Sequence, residues 1–227
     1  MVLVGALVQG TIGFGLNLLA APFIALVVPE ALPVTLVLAA WPTGGVAAFR
    51  EHHALDRRAL PWLLVGAVPG TLIGLAIVTQ ASADGLAIIV GVVTLLGVAL
   101  SVVSPPIHVN PATAGLAGLV SNVTGTAAAV GGPPVALLYQ HHGGPTIRAT
   151  LGVFFVASAT LSVVGYALTG EITGDRALLA VALLPAILAG LWASKHFHDL
   201  VDTRWLRPTV LTMCAIAGAA AVLRGVL

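Results

Sequence analysis

The fold is decided by a pattern that the chain carries twice: Gly13–Pro22 reads GFGLNLLAAP, and Gly125–Pro134 reads GTAAAVGGPP. In each copy a glycine lies nine residues before a proline, inside a long apolar stretch and after an amide side chain, Gln9 or Asn122. Glycine and proline interrupt helices, so each copy predicts a broken apolar helix. Two such broken segments in corresponding halves of a chain are typical of secondary transporters.

A second pattern repeats as well, PGTLIG at Pro69–Gly74 and PAILAG at Pro185–Gly190. The first pattern recurs after 112 residues and the second after 116, about half the chain. We therefore predict one membrane domain made of two repeats, 1–104 and 105–227, divided within the proline-containing joint Ser101–Pro111.

Composition places the chain in a bilayer. Its 227 residues are 59% hydrophobic and 7% charged, whereas soluble domains carry about 25% charged residues. The apolar stretches approach the ~20 residues that a spanning helix needs, which predicts an all-α integral membrane protein. The net charge of +1 gives no reason to expect a nucleic-acid partner, and a single cysteine, Cys214, excludes an internal disulfide. The apolar segments are 1–28, 31–49, 60–79, 85–103, 111–138, 148–169, 176–194 and 206–226.

Charged residues discriminate between two topologies. If all eight segments span, the basic joints at 50–58 and 195–207 fall on opposite sides of the membrane. If 1–28 and 111–138 are re-entrant hairpins, each repeat has three spans, and the second repeat is inverted. Seven basic residues then share one side, which predicts that this side is cytoplasmic and that both termini lie outside. The seven are Arg50, Arg57, Arg58, Arg148, Lys195, Arg204 and Arg207, against Arg176 and Arg224 on the other side.

Re-entrant backbone is tolerated in a bilayer only where it is buried in protein or lines a cavity, so the two breaks should meet at the centre. Two half-helices would then begin at one cavity, and their free N–H groups and positive dipole ends would favour an anion there. Polar side chains beside the breaks would bind this anion or cap the half-helices. The Arg148 guanidinium would donate two hydrogen bonds to an oxyanion, or the side chain would only extend to the membrane interface. The predicted substrate-binding set is Arg148, Gly131, Gly132, Pro133, Asn122, Thr124, Gln9, Asn17, Gly13 and Gly15.

Other chemistry finds little support in the sequence. All eight carboxylates fall at segment ends or joints, so we expect no acidic side chain deep in a span. Either transport is weakly coupled to an ion, or the substrate itself carries the proton. Ser121, Ser158 and Ser162 lie near glycines but in no nucleophile motif, so no enzyme is expected. The seven histidines lack metal-ligand spacing, and no metal or cofactor is expected. Gly66, Gly70 and Gly74 predict close helix packing.

Over nearly its whole length the chain resembles the TauE/SafE family of sulfite and organosulfonate exporters. The resemblance rests on GTIGFG at Gly10–Gly15, FREHHALDRR at Phe49–Arg58, GGPPVALLY at Gly131–Tyr139 and the downstream Arg148. It implies transport of sulfite or organosulfonates across a bacterial inner membrane, with Arg148 and the Gly131–Pro134 turn as substrate-site elements. The first repeat departs from the glycine-rich turn at Asn17–Pro22.

The leading hypothesis is a secondary transporter, in the exporting direction, of small sulfur-containing anions that works by alternating access. The alternatives are an anion channel and a carrier of another small organic anion such as a carboxylate. A coupling proton or sodium ion stays open, and the small-residue faces permit a homodimer.

Overall fold

The computed structural model describes residues 1–103, 107–194 and 206–226. Those residues form ten α-helices and no strand, which confirms the all-α prediction. Two short 3₁₀ turns, Pro29–Ala31 and His52–Ala54, lie on either side of the third helix. The helices are α1 (Val2–Ile12), α2 (Leu16–Val27), α3 (Val34–Arg50), α4 (Leu60–Gln80), α5 (Ala83–Val103), α6 (Pro111–Ala128), α7 (Gly132–Tyr139), α8 (Gly144–Thr169), α9 (Gly174–Ser194) and α10 (Leu206–Val226).

Four helices of the described chain, α4, α5, α8 and α9, are long and apolar enough to cross a bilayer. Their outer faces carry large apolar side chains: Leu72, Leu96 and Leu178 are 64%, 58% and 70% exposed. Such faces are suited to lipid, and with the family assignment reported below they indicate a multi-pass membrane protein. Shorter apolar helical runs occupy Val34–Gly45 in α3 and Val210–Val226 in α10.

The first broken segment folds back on itself. Gly5 of α1 packs against the backbone of Leu16 at the start of α2, and Gly15 packs against the side chain of Val8. A continuous helix would hold residues 5 and 16 about 16 Å apart along its axis. The helices α1 and α2 are therefore antiparallel.

The second broken segment also reverses. The Ser121 hydroxyl in α6 donates to the carbonyl of Gly131, which follows the break. Ala114 near the start of α6 and Tyr139 at the end of α7 belong to one apolar cluster, together with Leu63 of α4. Because α7 returns to the end of the bundle where α6 begins, this segment has the geometry of a hairpin.

The two halves pack through corresponding helices. α1 of the first half lies against α9 of the second, and α6 of the second half lies against α4 of the first. The remaining large contacts join α3 to α8 and α5 to α10. The division predicted at 104/105 falls outside the described residues, so it stays a prediction.

Glycines allow these close approaches. Gly66, Gly70 and Gly74 contact the α6 backbone at Gly115, Leu119 and Val123, which confirms the predicted packing face. Gly190 makes the equivalent approach of α9 to α1, at the carbonyl of Leu3. A methyl group at any of the four glycines would collide with a backbone atom, so the helices could not come this close with alanine there.

The structure corrects the alignment of the two breaks. Gly13 and Ala129 both end their half-helix in a left-handed conformation, and Gly15 and Gly131 are both the N-caps of the next one. These pairs are 116 residues apart, as Pro69 and Pro185 are, and the offset of 112 aligns neither pair. The first turn is thus Gly13–Gly15, within the predicted interruption near Gly10–Gly15, and Asn17–Pro22, which the resemblance aligns with the glycine-rich turn, lies inside α2.

Charged residues gather at the two ends of α8. Near its start, Arg148 pairs with Glu51, and Tyr139 donates to Asp56. Beyond its end, Arg176 pairs with Glu171 and donates to the carbonyl of Glu30, which follows α2. The grouping agrees with the two sides assigned from charge for these residues; Lys195 and Arg204 lie outside the described residues.

Candidate functional site

A cavity of about 80 Å³ lies between the two hairpins, with α3 and α8 closing its sides. Both breaks reach it, through Gly15 at the start of α2 and through Gly131 and Gly132 at the start of α7. A single water needs only about 10–15 Å³ on this measure, so the space suits a few waters or one small oxyanion. Residues from both breaks therefore line one space.

The second half-helix of each hairpin, α2 or α7, presents its N-terminal end to this cavity. Gly15 precedes Leu16, and Gly131 precedes Gly132, so the first turn of α2 and of α7 starts at the cavity wall. First-turn N–H groups have no partner within their own helix, and each helix N-terminus carries about half a positive charge. The C-terminal end of α6, at Ala129, brings an opposite partial charge to the same wall.

Polar side chains of α6 and α8 form one wall. The Asn122 amide nitrogen donates to the Ser158 hydroxyl at 3.0 Å, and the Thr71 hydroxyl donates to the Asn122 oxygen at 3.2 Å. One turn along, the Ser162 and Thr126 hydroxyls are 2.8 Å apart. The helices are joined by these bonds, and Asn122, Ser158 and Ser162 also border the cavity.

Asn17, in the first turn of α2, lines the opposite side. Its amide oxygen is the only buried side-chain nitrogen or oxygen of the described residues that has no hydrogen-bond partner. Burying an unsatisfied acceptor costs free energy, so an amide of this kind in a residue of the cavity wall suits a ligand or water that supplies the missing donor.

Gln9 and Thr43 separate this cavity from a smaller chamber. The Gln9 amide nitrogen donates to the Thr43 hydroxyl at 2.5 Å, and its oxygen accepts from the Leu16 backbone at 3.3 Å. Both side chains line the central cavity and also the second space, of about 20 Å³. The bond between them therefore forms the partition.

Arg148 lines the smaller chamber and not the central cavity. Its Nε donates to both Glu51 oxygens at 3.0 Å, and its Nη2 donates to Oε1 at 2.7 Å. Its Nη1 donates to the Thr11 carbonyl near the end of α1, at 3.3 Å. The guanidinium thus has an acidic partner, and it joins α8 to the first hairpin and to the end of α3.

The predicted site residues therefore fall into three groups. Six border the central cavity, and two, Arg148 and Gly13, border the smaller chamber. Thr124 and Pro133 line neither space: the Thr124 hydroxyl donates to carbonyls of its own helix, and Pro133 lies close to Gly97 of α5. The six are Gly131, Gly132, Asn122, Gln9, Asn17 and Gly15.

Sequence reasoning missed several lining residues. Ser121, Ser158 and Ser162 were considered only as nucleophiles, and Thr43 was not considered. Ser158 and Ser162 are four residues apart in an apolar helix, so their spacing alone places two hydroxyls on one helix face. In the described part of the chain no three metal-ligating side chains come together.

The family model described as "Sulfite exporter TauE/SafE" matches residues 1–221. Searches of curated proteins and of solved structures returned no match.

Proposed function

Because this chain belongs to the TauE/SafE family, a family of membrane transporters of the sulfite-exporter type, we propose that it exports sulfite or small organosulfonates by alternating access around the central cavity. The proposed substrate is one small sulfur-containing anion held between the two hairpins. The observation that carries this proposal is the cavity itself, to which α2 and α7 present their N-terminal ends.

The wall chemistry supports a weakly held anion. Neutral N–H and O–H donors can replace part of the water shell of an oxyanion, and helix ends add attraction without a fixed counter-ion. A carrier must release its substrate in every cycle, and a site built of partial charges holds an anion less tightly than a desolvated guanidinium would.

Alternating access is supported by the contacts between the halves. α1 packs on α9 of the second half, and α6 packs on α4 of the first, so rocking one half against the other would move both hairpins together. We propose that the two repeats are inverted, that the end holding Arg57, Arg58 and Arg148 is cytoplasmic, and that both termini face outside. A bacterial inner-membrane location, a homodimer and an ion coupled to transport stay predictions.

We propose that Arg148 acts at the cytoplasmic end of the pathway. Its chamber adjoins the central cavity across the bond between Gln9 and Thr43. An anion that reaches this chamber would compete with Glu51 for the guanidinium, and opening of that ion pair would accompany its passage.

Thermal unfolding of the detergent-purified protein against a panel of anions tests the substrate class. The panel contains sulfite, sulfate, thiosulfate, two- and three-carbon sulfonates and matched carboxylates. A ligand at about 100 times its Kd adds ~2.7 kcal/mol to the native state, so selective stabilisation by a sulfur anion is the expected result. A response to carboxylates alone would retain the carrier and overturn its substrate.

Variants then locate the site. Ser158→Ala removes a hydroxyl from the cavity, and we expect it to weaken sulfur-anion binding about tenfold, the effect of ~1.4 kcal/mol. Thr169→Ala removes a hydroxyl from the same helix at an exposed position, where it bonds only to its own helix, and should leave binding unchanged. Arg148→Ala should abolish transport while the protein still folds; unchanged flux would remove Arg148 from the pathway.

Flux assays in proteoliposomes separate a carrier from a channel. A carrier saturates as substrate concentration rises because each cycle has a maximal rate, whereas flux through a channel would rise without saturating. Saturation at millimolar or lower substrate is the expected result.

A further inference from the structure

The charge of the central cavity limits the charge of its ligand. The lining that the structure describes contains no Lys, Arg, His, Asp or Glu side chain. Two helix N-termini reach it, each with about half a positive charge, and the C-terminal end of α6 at Ala129 offsets about one of them. A single negative charge therefore already uses all that the helix ends supply, and a second one would have no counter-charge.

Arg148 does not change this balance. It lies beyond Gln9 and Thr43, and its charge is already matched by Glu51. A dianion in the central cavity would therefore lose its water shell without meeting a free cation among the described residues.

The unpaired oxygen of Asn17 points to the same ligand class. It is an acceptor without a donor, in a residue that lines the cavity. The sulfite dianion has only acceptor oxygens, so it would add repulsion there. Hydrogensulfite in its hydroxyl form has one negative charge and one O–H group, which can donate to this oxygen.

We propose that the central cavity selects the singly charged, protonated form of its substrate, hydrogensulfite, over the sulfite dianion. This inference rests on the proposed function and names the ionic form that the site takes. The substrate then carries its own proton across the membrane, which explains how such a site works without a carboxylate in its described lining.

Few titratable groups of the protein face the cavity from the elements packed around it. Glu51, which follows α3, and Arg148 of α8 lie behind the partition, and Arg224 of α10 donates to the Ala25 carbonyl of α2. Tyr166 of α8 is fully buried and donates to the Thr126 carbonyl, and Tyr139 at the far end of α7 donates to Asp56. None of these lines the cavity, so the pH dependence of binding should come from the ligand.

The test measures the Kd for total sulfite across the pH range, around neutrality, in which hydrogensulfite loses its proton. Only the protonated fraction binds, so the apparent Kd should rise about tenfold for each pH unit above the pKa of the ligand. Methanesulfonate keeps a single charge throughout this range, and its Kd should stay constant. Sulfate, a dianion throughout, should not compete.

Each other outcome is decisive. Affinity for total sulfite that stays constant or increases with pH would overturn the inference and leave the proposed function standing. A parallel loss of methanesulfonate affinity would assign the titration to the protein and also overturn the inference. Absence of binding by every sulfur anion at every pH would remove the proposed function itself, and the inference with it.

A variant pair tests the hydrogen bond. Asn17→Ala should weaken hydrogensulfite binding about tenfold, because the acceptor for its proton is lost, and should not weaken methanesulfonate binding. Asn17→Ser, which keeps an acceptor oxygen, should recover part of the loss. Equal effects of Asn17→Ala on both ligands would show that Asn17 only shapes the cavity, and would overturn its role as proton acceptor.

Discussion

The two breaks that meet at the central cavity are built by different means. In the first, two glycines with positive φ angles, Gly13 at 99° and Gly15 at 127°, turn the chain, and the Gln9 side chain caps the next half-helix. In the second, Ala129 adopts φ 60°, Gly131 has an ordinary φ of −95°, and two prolines start α7. The same reversal is thus obtained once from backbone freedom and once from proline.

The difference assigns different work to the two halves of the site. Pro133 and Pro134 have no N–H group, so the first turn of α7 presents fewer donors than that of α2. Around the second hairpin, two α8 serines join Ser121 and Asn122 at the cavity. The first hairpin also supplies two polar side chains, Gln9 and Asn17, and the amide oxygen of Asn17 has no partner. We infer that α2 sets which ligand is preferred and that α6 and α8 hold the frame.

The largest expected effect comes from Gly15→Ala. A φ of 127° is a conformation that only glycine adopts readily, and an added methyl would lie 2.8 Å from a Val8 methyl group. We expect a loss of about 3 kcal/mol, the upper end of the range for one strained residue, together with loss of transport. Thermal unfolding in detergent and flux in proteoliposomes measure the two effects.

Gly45→Ala is the matched control, because a methyl there meets nothing within 4 Å and α3 is helical throughout. It should leave the unfolding midpoint unchanged or raise it slightly, since alanine favours a helix over glycine by about 1 kcal/mol. If Gly15→Ala behaves like this control, the first break does not depend on glycine and the comparison fails.

An intermediate effect is expected for Asn122→Ala in the frame of the second half. Asn122 is 2% exposed and bonds to Thr71 and Ser158, so the change takes the amide donor from the buried Ser158 hydroxyl, while the Thr71 hydroxyl keeps its bond to the Ala67 carbonyl. Stability should fall by about 1–3 kcal/mol, the usual effect of unsatisfied buried groups. The Asn17 amide oxygen has no hydrogen bond to lose. The unfolding midpoint of Asn17→Ala without ligand should therefore not fall.

An exposed amide provides the control for that pair. Gln80 bonds only to its own helix, and Gln80→Ala should change stability by no more than about 0.5 kcal/mol. Equal losses for Asn17→Ala and Asn122→Ala would contradict the separation of ligand recognition from frame.

The sequence predicted the features that depend on local chemistry. Glycine and proline interrupt helices wherever they occur, so both breaks were found, and their burial in a bilayer required a shared cavity. The glycines of α4 were correctly interpreted, because a small-residue face at helical spacing has one common use. Six of the ten predicted site residues border the cavity for the same reason: they lie within a few residues of a break.

Features that depend on distant partners were not predicted. The acidic partner of Arg148, Glu51, is 97 residues away and belongs to the other half, so nothing near Arg148 in the sequence identifies it. Ser158 lines the cavity only because α8 packs beside α6, which is a tertiary contact. The offset of 112 residues aligns a glycine and a proline that have different structural roles in the two repeats. The left-handed backbone angles at Gly13 and Ala129 identify the equivalent helix ends instead.

The smallest expected effect belongs to Ala129→Gly. An alanine at φ 60° is strained by about 1–2 kcal/mol, which glycine would release. Loss of a methyl that is 2% exposed removes about 0.8 kcal/mol of burial, and the greater freedom of glycine in the unfolded chain removes about 0.5–1 kcal/mol more. These terms nearly cancel, so the unfolding midpoint should hardly move and anion binding should stay unchanged.

The reciprocal change is Gly13→Ala. Gly13 has a φ of 99°, and an added methyl would lie 3.3 Å from the Arg148 backbone, so this change should destabilise by more. If Ala129→Gly were as harmful as Gly13→Ala, the second break would depend on its alanine as much as the first depends on its glycine, and the expected strain at Ala129 would be absent.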